Sequence, residues 1–296
     1  MKKYIKYLFL IAFFILLINP NCASAHQPRI VSDDVINIYN PEVSQAFYGE
    51  LRGKPAEFVI NSGVEFKLYI GLLVPDISGV SKDISAEIYL ENSGTKVPLV
   101  VLDGASFNWT PFYEEFAKDN YFWGPEFKAD DSQKGIDLKG RLVPPGEYHI
   151  KIYNAVNLGK YSMAVGYIET FPVKEMVGAL TNVASIKTNF FNESITSILL
   201  SPFGWGSILF YYILALILWA LLRIVLRQTA TKEAMKIHCV DMAKNDRVFR
   251  LALGLGLLLW AIYTTWNPVI LIISGFLVFE ASLSQKKYLP IRTAKK

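Results

Sequence analysis

The chain has 296 residues, room for one ordinary domain and a membrane segment but too few for two soluble domains beside one. Its apolar fraction of 52% is concentrated in residues 7–18, 207–226 and 251–283, a distribution that marks membrane segments rather than a greasy core. The net charge of +4 comes from basic residues flanking those runs, which is a topology signal and argues against a nucleic-acid partner.

Lys2, Lys3 and Lys6 precede the first apolar run, Asn19-Pro20-Asn21 breaks it, and Ala23-Ser24-Ala25 offers small residues for cleavage. This pattern predicts a secretory signal peptide over residues 1–25, with His26 as the first mature residue. Asn19, Pro20 and Asn21 are not the small apolar set of a lipobox, so Cys22 is read as removed with the leader. The other cysteine, Cys239, falls on the basic side of the membrane segments. The exported part then holds no thiol, and its stability must come from packing rather than disulfides.

Residues 26–170 carry short alternating runs rich in Val, Ile, Tyr and Phe, at 35–39, 56–60, 65–74, 84–90, 97–102, 147–153 and 160–167. Turn pieces such as Asn61-Ser62-Gly63 and Pro144-Pro145-Gly146 separate them. Such spacing predicts an antiparallel β-sandwich, so the fold class is an all-β extracytoplasmic sandwich on an α-helical membrane anchor. The closing pair, Pro145 to Asn154 and Gly159 to Gly166, resembles the last hairpin of pre-peptidase C-terminal and other immunoglobulin-like bacterial sandwiches. That resemblance implies a fold and no ligand.

Residues 103–131 read as a long insertion between strands that mixes aromatic and acidic side chains. Trp109, Tyr113, Tyr121 and Trp123 are candidates for a platform that meets a partner protein or a glycan. The acids Asp103, Glu114, Glu115, Asp119, Glu126, Asp130 and Asp131 could instead supply oxygen ligands to Ca²⁺, although their spacing matches no EF-hand loop. A third reading is a loop folded on its own aromatic residues.

A mature chain that starts at His26 has an amine and an imidazole suited to copper, and His149 is the second histidine of the exported part. Together they resemble the histidine brace of lytic polysaccharide monooxygenases and the amino-terminal histidine of CopC-like carriers, which implies copper binding or delivery. Against this, strand alternation turns Tyr148, Ile150 and Ile152 inward and His149 outward, and Glu147-x-His149 stands where the carrier family has Asp-x-His. The exported part has no nucleophile elbow, zinc-protease motif or phosphate loop, so no catalytic role is expected.

Residues 171–206 read as an amphipathic juxtamembrane stalk, lying on the outer leaflet or packing under the sandwich. Residues 207–226 are long enough to cross a bilayer, and Arg223, Arg227, Lys232 and Lys236 place their far end inside. Residues 227–247 form a basic cytoplasmic linker, residues 248–284 a transmembrane hairpin opened at Pro268 with Trp266 at the interface, and residues 285–296 a basic cytoplasmic tail. Gly254, Gly256, Ser274 and Gly275 would let helices approach closely. Glu280 is read as an interfacial acid paired with a nearby base.

Arg247-x-x-Arg250 and Gly254-x-Gly256, followed by the apolar stretch 267–282, resemble the two-helix DUF2892 (YgaP-like) inner-membrane family. The resemblance implies a membrane anchor of unassigned chemistry. Members often carry Cys-Pro near the end of the second helix, where this chain has Ser282-Leu283-Ser284, which speaks against thiol chemistry there. The whole sequence therefore reads as a bacterial inner-membrane protein displaying a non-catalytic binding module for a partner protein or envelope glycan. Copper binding and an accessory role in a membrane complex are the alternatives.

Overall fold

A computed structural model describes residues 26–33, 35–92, 94–129, 140–170, 172–229 and 244–283. The predicted signal peptide, most of the basic linker and the basic tail lie outside them, as do Cys22, Cys239, Asp130 and Asp131. One sheet has six strands in the order β1 (Gln27–Ile30), β3 (Gln45–Arg52), β13 (Leu158–Val165), β6 (Ile70–Pro75), β10 (Asp119–Phe127) and β9 (Thr110–Glu114). A five-stranded sheet follows the order β2 (Val35–Asn37), β4 (Ala56–Ser62), β12 (Gly146–Tyr153), β7 (Ser85–Asn92) and β8 (Thr95–Leu102). β11 (Arg141–Val143) pairs with β5 (Phe66–Leu68) alone.

Strand alternation builds the core. Phe58 and Ile60 of β4, Ile88 of β7 and Tyr148, Ile150 and Ile152 of β12 point inward from the five-stranded sheet and meet Phe47, Leu51, Leu72, Val74 and Met163 from the six-stranded one. Burying each such side chain contributes about 1.5–3 kcal/mol, so this shared interior is the main stabilising term. The expectation of purely antiparallel sheets needs correcting, because β1 pairs with β3, and β2 with β4, in parallel.

All seven expected runs form strands, and the structure adds others. β3 escapes a pattern search because its inward positions read Phe47, Gly49, Leu51. The space above Gly49 is filled by the Tyr161 ring of β13, so one strand supplies the side chain that the other lacks. Residues 103–129 are likewise no inserted loop. Asp119–Phe127 is an interior strand of the six-stranded sheet, hydrogen-bonded to β6 on one side and to the edge strand β9 on the other.

Helix α1 (Val173–Ser185) and a π-helical turn (Ile186–Phe190) lie under the outer face of the six-stranded sheet, the second of the two placements expected for the stalk. Ile186, Phe190 and Phe191 pack there on Tyr69, Leu73, Tyr121 and Ala164. A 3₁₀ turn (Ile195–Leu200) leads into helix α2 (Pro202–Thr229), followed by α3 (Lys244–Trp260), a π-helical turn (Ala261–Thr265) and α4 (Pro268–Leu283). Two of these apolar stretches, Pro202–Val225 and Asn245–Thr265, are long enough to cross a membrane. α4 has 16 residues. At the α-helical rise it covers about 24 Å of a ~30 Å hydrocarbon layer.

One expectation about the hairpin changes, and another gains a named partner. Trp266, expected at a water boundary, is buried at the turn against Val183, Ile198 and Ile262, because the stalk covers the hairpin tip. Glu280 has its partners on a different helix, accepting hydrogen bonds from Trp219 Nε1 at 2.6 Å and Arg223 Nη2 at 2.6 Å. These contacts tie α4 to α2.

Candidate functional site

The outer face of the six-stranded sheet is hollowed where small residues face each other across strands. Ala46 of β3 and Ala164 of β13 are directly paired, and their short side chains form the floor of a cavity of about 330 Å³. Tyr48, Leu73, Tyr121 and Trp123 make its sheet-side walls, and Phe112 and Tyr113 of β9 its edge. Val183 and Ile186 of the stalk roof it, and Phe203, in the first turn of α2, closes the end next to the helical anchor. The size falls at the small end of ligand pockets, and the lining is mostly apolar with a few placed polar groups.

Those polar groups are satisfied within the wall. The hydroxyls of Tyr48 and Tyr121 lie 3.2 Å apart, and burial pushes both phenols well above their ordinary range. Lys187, from the π-helical turn, donates to Asp119 at the start of β10, with Glu193 at 3.5 Å. Both members of the Lys187–Asp119 pair are nearly inaccessible. Burial raises the Asp119 carboxyl to about 6, the Lys187 ammonium pulling it back only in part. This pair joins the sheet to the stalk, so the cavity exists only while the stalk is docked.

Three of the four aromatic candidates come together here. Tyr121 and Trp123 line the wall, the latter edge-on to Phe112 at 4.9 Å, and Tyr113 lies at the rim, 44% exposed. Trp109 does not join them. It is held in the core, its Nε1 donating to Gly104 O at 2.8 Å, which removes it from any contact surface.

The acids of this segment have local partners. Asp103 caps the turn at Ala105 and Ser106, Glu114 caps Phe116 and Ala117, Glu115 meets Lys118, and Glu126 accepts from Tyr69 and pairs with Lys128. Among the described residues they form no group of three converging ligands.

The two copper candidates lie on different sheets. His26 lines the cavity next to β1 and hydrogen-bonds Ser44 through Nδ1. His149 projects from the centre of the five-stranded sheet, on its outer face, as alternation predicted. Both sheets and the core lie between those two outer faces, so a single ion has no route to both imidazoles. The surroundings of His149 were not foreseen. Glu57, Glu91 and Glu147 approach its ring nitrogens, and Tyr89 stacks on it at 5.0 Å. Desolvation draws the Glu57 carboxyl upward, but hydrogen bonds from His149 and Tyr89 outweigh it and hold it below the usual range.

No family model matches the chain. No curated protein matches it either. Among solved structures, the pre-peptidase C-terminal domain of a collagenase from Bacillus anthracis is similar at 10% identity, covering 49% of this chain and 97% of that one, with a TM-score of 0.23. AvmM, which catalyses macrocyclization in alchivemycin A biosynthesis, is similar at 13% identity over 46% of this chain and 62% of that one, with a TM-score of 0.16. Scores this low carry no fold argument, so the architecture stands on its own strands and core.

Proposed function

We propose that this protein is a membrane-anchored, non-catalytic binding module whose two-layered β-sandwich faces the outside of a bacterial inner membrane. Its seat is the cavity under the stalk, which receives an apolar side chain from a partner protein. The observation that carries this reading is the cavity itself: an aromatic-walled hollow whose buried polar groups are already paired with one another. Sugar hydroxyls would find few free donors and acceptors there, whereas an apolar anchor needs none, which favours a protein over an envelope glycan. α2, α3 and α4 serve as the anchor, with the basic residues around 227–247 and after 284 on the cytoplasmic side. The role of Phe203 as both cavity wall and start of α2 supports placing the seat at the membrane surface.

The test is a photo-crosslinking amino acid at Tyr113, on the cavity rim, in living cells. A discrete polypeptide adduct that disappears when Ala46→Trp fills the floor is the expected result. An adduct that survives Ala46→Trp would place the contact elsewhere, and the absence of any polypeptide adduct would count against a protein ligand.

A further inference from the structure

The geometry points to a divalent transition-metal site on the outer face of the five-stranded sheet, held by His149 Nε2, Glu91 and Glu147, with Glu57 as the carboxylate that orients the histidine. The site is separate from the cavity and independent of the binding role proposed for it.

The argument begins with strand register. Glu147 of β12 and Glu91 of β7 are direct cross-strand partners, a destabilising arrangement for like charges that Lys96, opposite Glu91 on β8, offsets from one side only. His149, two residues along β12, sits opposite Tyr89 and turns Nε2 toward both carboxylates, at 3.1 Å from Glu147 Oε1 and 3.3 Å from Glu91 Oε2. Its other nitrogen, Nδ1, lies 2.9 Å from Glu57 Oε1 on β4. Glu57 also accepts from the Tyr89 hydroxyl, and Lys96 donates to that hydroxyl at 2.8 Å.

With an ion bound at Nε2, the carboxylate at Nδ1 would keep the ring proton on that side and free the Nε2 lone pair for ligation. That is the carboxylate–histidine–metal arrangement, in which the outer carboxylate sets the tautomer and strengthens the ligand. Stacking on Tyr89, with the two ring planes 3° apart, holds the imidazole in this orientation from outside the ligand set. The distances agree with ligation. A tetrahedron with bonds of ~2.0 Å, the usual length to imidazole nitrogen and carboxylate oxygen, has edges of about 3.3 Å. All three ligand atoms lie within 4.8 Å of one another.

One imidazole with two carboxylates is a borderline-to-hard set that suits Zn²⁺ and its first-row neighbours and is too poor in oxygens for Ca²⁺. His149 is 12% exposed and the two glutamates more so, which leaves a face open for entry and for water as a further ligand. An ion held there would bridge β7 and β12 directly and β4 through Glu57.

The alternative cation is a proton that makes His149 an imidazolium, and the experiment separates the two. The full chain in detergent micelles, carrying His26→Ala, His238→Ala and Cys239→Ser to remove competing ligands, is stripped with a chelator and titrated with Zn²⁺ against a competing indicator at a fixed pH of about 7.5, because metal binding displaces protons from its ligands. The expected result is one equivalent per chain, with affinity lowered by at least ~10-fold in His149→Gln and in Glu91→Gln, and by ~10-fold in Glu57→Gln, which touches no metal. Glu87→Gln, on the same face, leaves affinity unchanged. Melting curves without metal verify that each variant is folded, and the outward position of all four side chains leaves the core untouched. No stoichiometric uptake, or uptake by His149→Gln equal to that of the parent, overturns the proposal.

Discussion

Asp119 shows how much a single buried group ties the stalk to the sheet. Burial raises its folded-state pKa to about 6, above the 3.8 of an ordinary aspartate, so between these values the folded protein holds a proton that the unfolded chain has released. Stability from this group therefore falls as pH rises through that window, by about 3 kcal/mol at most. In thermal melts from pH 4 to 7, the wild type should lose ground relative to Asp119→Asn. A constant difference between the two would show that the carboxyl is not held in its neutral form. Gly49 and Tyr161 make a second residue-scale case. A Cβ at Gly49 would lie 2.5 Å from the Tyr161 hydroxyl, which is buried without a hydrogen-bond partner among the described residues. Tyr161→Phe should change stability by less than about 1 kcal/mol, Gly49→Ala should cost about 1–3 kcal/mol, and the double variant should cost less than the sum. At this scale the sequence disclosed the aromatic wall through its density of Tyr and Trp, and the outward turn of His149 through alternation. It hid Ala46, Ala164 and Glu91, whose roles arise only from which residue stands opposite which.

Elements were legible where one face alternates and obscure where two elements share a side-chain role. β4, β7 and β12 announce themselves because apolar inward residues alternate with polar outward ones, whereas β3 borrows its middle side chain from β13. β10 was masked by its own aromatic and acidic content, since one of its faces fills a core and the other lines a cavity. The same reasoning sorts the glycines of the anchor. Gly254 packs against Leu277 and Val278 of α4, and Gly275 packs against Ala215 and Tyr212 of α2, but Gly256, expected to do likewise, faces open space. Ser274 reinforces the contact by donating to Gly254 O at 2.8 Å and meeting the Tyr212 hydroxyl at 2.9 Å. Gly275→Leu should therefore separate α4 from α2 and lower the melting temperature in detergent, while Gly256→Leu should be neutral. Equal effects of the two would mean that the close approach does not hold the helices together.

For the whole molecule, the decisive property is which side of the membrane each part occupies, and here sequence carries more than packing does. Basic clusters and apolar run lengths are one-dimensional signals and are read directly from the chain, whereas a third crossing by α4 would depend on how far a helix of 16 residues reaches when packed beside longer ones. Thiol labelling can settle the orientation. Cys239 lies in the segment proposed to face the cytoplasm, and Val156, in the turn between β12 and β13, is 64% exposed. In intact spheroplasts a membrane-permeant maleimide should label Cys239 and an impermeant one should not. With Val156→Cys added in a Cys239→Ser background, both reagents should label the protein. Labelling of Cys239 by the impermeant reagent would invert the topology and move the cavity and the His149 cluster to the cytoplasmic side, where the partner and the metal supply are different.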